Sequence, residues 1–90
     1  MTVSELVNEC LQTLGQGCER MTLTMPKVPK RFPRGELVAV TREGLRVMRY
    51  DIMKVLGYLA KHKVIEVSRK NDKTLQVKIL QEVEPTHDQP

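Results

Sequence analysis

The sequence predicts an α+β fold, and three observations carry that prediction. Two stretches place apolar residues at helical spacing, several short ones alternate apolar with polar residues, and Pro, Gly or Asn/Asp punctuation separates them. The expected order is helix, strand, hairpin, helix, hairpin, with two helices on one face of a small antiparallel sheet.

Residues 2–14 read as the first helix. Val3, Leu6, Val7, Cys10, Leu11 and Leu14 recur three and four apart, which marks one buried face. Thr2 and Glu5 have the spacing of a capping box, and Gly15 and Gly17 supply the stop. Met21, Leu23 and Met25 then alternate with Thr22 and Thr24, as in a short strand with one wet face, and Pro26 ends it.

Residues 27–34 set Lys27, Lys30, Arg31 and Arg34 among Pro29 and Pro33, with Val28 and Phe32 between them. Proline fixes φ and removes a backbone donor, so this stretch is expected to be an extended or turning loop. Over residues 36–50, Val38 and Val40 alternate with Leu37 and Ala39, and Val47 with Met48 and Tyr50. Thr41-Arg42-Glu43-Gly44 between them suits a turn closed by a left-handed glycine, so the segment is expected to be a hairpin. A helix over residues 36–42 is the other reading, and the β-branched Val38, Val40 and Thr41 weigh against it.

Residues 51–62 read as the second helix. Asp51 is a good N-cap, and Ile52, Val55, Leu56 and Leu59 form an apolar stripe. Lys54, Tyr58 and Lys61 fall elsewhere around it, while Lys61, His62 and Lys63 suit a helix C-terminus. Over residues 64–80, Ile65 and Val67 alternate with Glu66 and Ser68, and Leu75, Val77 and Ile79 with Gln76 and Lys78. Lys70-Asn71-Asp72-Lys73 supplies the turn of this hairpin. Residues 81–90 lack periodicity and hold two prolines and three acids, so a disordered tail is expected after a single domain over 1–80.

A chain of 90 residues buries only about 60% of its unfolded surface. Its stability is therefore expected to be marginal, or completed by self-association into a homodimer. With Phe32, Tyr50 and Tyr58 as its aromatics and five methionines, the core must be largely aliphatic. No apolar run reaches the roughly 18 residues of a membrane span, and the N-terminus has no signal-peptide pattern. A cytoplasmic protein without a membrane partner is expected, with Cys10 and Cys18 as reduced thiols. The formal charge of +4 permits nucleic-acid or acidic-protein partners, and the acidic tail conceals a more basic body.

The residues do not compose an active site. His62 and His87 lack a Cys or acid at triad or metal spacing, and Gly15-Gln16-Gly17 is too short to cradle a phosphate. A non-catalytic binding protein is expected, with no catalytic residue, metal or cofactor.

The run from Ile52 to Val67 holds Leu56, Leu59, Val64 and Ile65, and the Lys/Asn/Asp turn and Leu75-Gln76-Val77-Lys78-Ile79 follow it. It resembles the recognition helix and wing of winged-helix proteins, and a winged helix-turn-helix is the alternative fold. The resemblance implies that Lys54, Tyr58 and Lys61 face a groove of duplex DNA, with Arg69, Lys70 and Lys73 on a wing touching phosphate. The chain departs from that pattern at Lys63, where the family turns with glycine, and no second helix is read before Asp51.

Phe32-Pro33-Arg34-Gly35-Glu36-Leu37, Gly44, Tyr50-Asp51 and Lys54-Val55-Leu56 are together similar to small proteins of tailed phages and prophages. That similarity implies a small regulator, or an inhibitor docking on a host protein complex. The basic loop suits both readings. Lys27, Lys30, Arg31 and Arg34 can neutralise phosphate, whereas Val28 and Phe32 can anchor a protein contact. The leading expectation is a DNA-binding or nucleic-acid-associated regulator; the rival is a protein-interaction module.

Overall fold

Thr2 starts the first helix by exchanging bonds with Glu5. The Thr2 Oγ1 accepts from the Glu5 backbone N–H at 3.2 Å, and the Thr2 N–H donates to the Glu5 carboxylate at 2.8 Å. Two otherwise orphaned donors are satisfied, and α1 (Val3–Gly15) follows. Chiefly through that backbone N–H, the Glu5 carboxyl is held below its ordinary value. The cap's electrostatic part is therefore present above the ordinary carboxylate range and fades as pH falls through the lowered value. At the far end Gly17 sits at φ 87°, its N–H bonded to the Leu14 carbonyl and that of Cys18 to the Thr13 carbonyl. This Schellman pattern is the stop that the glycines foretold.

The computed structural model describes residues 2–25, 32–72 and 74–81. In them β1 (Arg20–Met25), β2 (Glu36–Val40) and β3 (Arg46–Asp51) form an antiparallel sheet of order β1-β3-β2. The register sets Met21 opposite Tyr50 and Leu23 opposite Met48, and all four are buried. Thr22 and Thr24 point to the other face and are exposed. The expected hairpin joins β2 to β3. The Gly44 N–H donates to the Thr41 carbonyl, the Leu45 N–H to Thr41 Oγ1, and the Thr41 N–H to the Leu45 carbonyl.

Gly44 lies at φ 87°, and a Cβ built there meets no atom within 4 Å. Backbone strain alone thus decides a substitution. Gly44→Val should cost about 1–2 kcal/mol, read as a lower urea midpoint at unchanged slope. An unchanged midpoint would show that the left-handed geometry is not needed.

Asp51 caps α2 (Ile52–Lys61), its Oδ1 accepting from the Lys54 N–H at 3.2 Å. The helix ends in a second Schellman pattern, Lys63 N–H to Ala60 and Val64 N–H to Leu59. Here the left-handed residue is Lys63, at φ 63° the one non-glycine with positive φ among the described residues. Glycine carries no Cβ penalty there, although it also adds freedom to the unfolded chain. Lys63→Gly should therefore stabilise by about 0.5–1 kcal/mol. A lowered melting temperature would contradict that.

β4 (Ile65–Arg69) and β5 (Leu75–Ile79) pair antiparallel, with Ile65 opposite Ile79 and Val67 opposite Val77. The Lys70 N–H reaches the Thr74 carbonyl, and the Thr74 N–H reaches Asn71 Oδ1, so the polar turn forms as expected. The α+β class and the element order stand.

Three expectations change. The strands divide into two sheets in place of one, because β4 and β5 pair only with each other. The helices link the two sheets, α1 packing on β1, β5 and α2, and α2 on β3, β4 and α1. The residues before α2 form the β2–β3 hairpin, so the helix pair of a winged helix-turn-helix is not made. The ordered body also continues to Gln81. Its backbone N–H joins that of Leu80 on the Val64 carbonyl, and its Nε2 donates to the Lys63 carbonyl. Residues 82–90 of the expected tail lie outside the described residues.

Leu6, Cys10, Ile52, Val55, Leu56 and Ile65 are among the most deeply buried core residues. Cys10 Sγ lies 3.7 Å from Met21 Sδ, and burial pushes its thiol up to about 12. Cys10 is a packing residue, not a nucleophile. No helix among the described residues is long and apolar enough to cross a membrane.

Candidate nucleic-acid interface

Helical geometry turns Lys54, Gly57 and Lys61 outward. Ile52, Val55, Leu56 and Leu59 take the inner face of α2, and the residues on the opposite side of the spiral from that stripe must face water. Lys54, Gly57 and Lys61 are indeed exposed. Tyr58 flanks them and is half-buried, its ring centroid 6.3 Å from Phe32 and 4.4 Å from His62. The two rings fix its position and leave part of it open to solvent.

The face carries one sign of charge. From Ile52 to Ile65 the sequence has no acid, while Lys54, Lys61 and Lys63 are exposed. The ion pair made among the described residues is Arg49 to Glu36, at 3.1 Å across β3 and β2, so these lysines are not compensated there. Of fifteen Lys/Arg and eleven Asp/Glu, three acids (Glu82, Glu84, Asp88) follow Gln81, leaving fifteen cations against eight acids before it.

Arg69 and Lys70 are exposed where β4 enters its turn, and the Arg69 guanidinium donates to the Asp72 carbonyl at 3.2 Å. That bond holds the side chain against its own turn. β4 carries these cations a strand's length, about 13 Å, from Ile65 and the end of α2. Arg34 is exposed just before β2. Lys27, Val28, Lys30, Arg31 and Lys73 lie outside the described residues.

Phe32 departs from the expectation of an exposed protein-binding anchor. It is buried, edge-on to Tyr50 at a centroid distance of 5.2 Å and inclined against Tyr58. An aromatic ring gains more from a core position than from solvent, and Phe32 brings the end of the basic loop alongside α2.

Sequence reasoning missed Arg20 and Arg49. Both line a shallow open groove with Glu9, Thr13, Met21 and Thr22. Their meeting depends on the β1–β3 register, which puts Thr22 opposite Arg49. Among the described residues no group of three His, Cys, Asp or Glu could hold a metal ion. Comparison of the chain with protein-family models, curated proteins and solved structures gives no match.

Proposed function

We propose that this chain is a non-catalytic, nucleic-acid-associated regulator that binds duplex DNA through the outer face of α2 and the β4–β5 turn. The observation that carries the reading is the acid-free, exposed helix face bearing Lys54 and Lys61. A helix about 10–12 Å across fits a major groove about 12 Å wide. Lys54 and Lys61 then meet phosphates at the groove walls, and Arg69 and Lys70 meet phosphate beyond the groove. The driving force is release of counterions from the neutralised phosphates. The open part of Tyr58, braced by Phe32, is the candidate for contact with a base or sugar.

The experiment is duplex binding as a function of salt. Lys54→Ala with Lys61→Ala should make the log–log slope shallower by about one for each phosphate no longer neutralised. Arg69→Ala with Lys70→Ala should do the same. All four side chains are exposed, so the melting temperature should hardly move. An unchanged slope in the helix pair would remove α2 from the interface.

A further inference from the structure

β2 is an edge strand with an uncovered apolar surface. All five of its residues are exposed, including Leu37 at 53%, Val38 at 37% and Val40 at 59%. Leu37 stands opposite the buried Met48, on the side of the sheet that forms the core. The apolar face thus runs outward from Met21 and Leu23 through Met48 to Leu37, and the helices stop short of it. β3 is the one substantial neighbour of β2. The opposite edge contrasts with this, because Arg20, Thr22 and Thr24 make the exposed part of β1 polar. No Lys or Pro guards β2.

We infer that β2 is a self-association edge, where two copies of the chain pair β2 to β2 antiparallel and extend the sheet to six strands. The inference is independent of the DNA reading. Charge selects both the second copy and the register. A twofold axis through Ala39 places Glu36 opposite Arg42 of the second copy, twice, since such an interface is isologous. The same register sets Val38 opposite Val40 of the second copy. An axis through Val38 instead sets Arg34 against Arg42, cation facing cation, and is disfavoured. Glu36, Arg42 and Arg34 are all exposed and able to meet a neighbour. The shift in register between Leu37 and Ala39 lies within this segment, and it leaves Val38 without a partner on β3.

Sedimentation of the full chain, freed of nucleic acid, tests this. The wild type should pass from monomer to dimer as concentration rises. Leu37→Lys with Val40→Lys should stay monomeric throughout at an unchanged melting temperature, because both side chains are more than half exposed in the monomer. Glu36→Arg and Arg42→Glu should each weaken association roughly tenfold, and their combination should restore it. A wild type that remains monomeric at its highest soluble concentration overturns the inference. So does a dimer indifferent to the two lysines, or one that loses affinity on each charge reversal without recovering it in the double reversal.

Discussion

Ile65→Asp is expected to abolish cooperative folding. Ile65 is 1% exposed, opens β4, faces Ile79 across the strand pair, and follows directly on the turn that closes α2. Losing the buried side chain forfeits about 1.5–3 kcal/mol of apolar transfer. A carboxylate in the same place, with no partner, adds a desolvation penalty of several kcal/mol. A domain of this size has roughly 0.05–0.15 kcal/mol of stability per residue, so the two losses together match or exceed the total. Far-UV circular dichroism should show no cooperative transition. Ser68→Asp, at an exposed position of the same strand, is the control and should stay within about 0.5 kcal/mol of the wild type. An Ile65→Asp chain melting at the wild-type temperature would mean that β4 presents its other face to the core.

Gly35→Ala is expected to cost about 1–3 kcal/mol, the range for forcing an extra carbon into a packed site. A Cβ at Gly35 would stand 2.5 Å from Tyr50 Cε1 and 2.9 Å from both Cδ1 and Cζ. The ring cannot retreat cheaply. Tyr50 is 1% exposed, lies opposite Met21, and meets the edge of Phe32. Gly35 is therefore a spacer that lets the chain cross a buried aromatic on its way into β2. Placing Gly35→Ala in a Tyr50→Leu background separates this clash from any other cause. Tyr50→Leu is itself destabilising, yet the added alanine should then cost little, which a double-mutant cycle reads as coupling. Simple additivity would refute the clash.

What the sequence made legible is local. Thr2 with Glu5, Asp51 before Ile52, and Thr41 to Gly44 each act within four residues, and each forms the cap or turn its spacing implies. Lys63 was visible as a lysine where a glycine would sit more easily, and it adopts the positive φ that makes the substitution informative. Alternation along β3, β4 and β5 correctly reported which residues turn inward. It could not report which strand pairs with which, and so the division into two sheets was hidden. Two further features depend on partners distant in the chain. The spacer role of Gly35 exists only because Tyr50 lies across it, fifteen positions on. Phe32 reads as an exposed anchor in a basic loop until Tyr50 and Tyr58 offer it a place in the core. Similarly, the valines of β2 alternate like those of a half-buried strand, yet no helix reaches far enough to cover them.

For the candidate interface, residue type was legible and arrangement was only partly so. Lys54 and Lys61 follow from the helical stripe opposite them, which needs no tertiary information. Arg20 and Arg49 become neighbours only through strand register, and nothing local distinguishes them from other surface arginines.

Duplex DNA affinity at two salt concentrations tests the central claim most directly. Lys54, Lys61, Arg69 and Lys70 are exposed and, among the described residues, make no ion pair. Each phosphate they neutralise adds about −0.9 to the slope of log affinity against log salt. Four neutralised phosphates predict that affinity falls roughly a hundredfold between about 50 and 200 mM salt, and further cations would steepen the fall. No detectable binding at the lower salt, or binding that hardly changes between the two, would contradict the account.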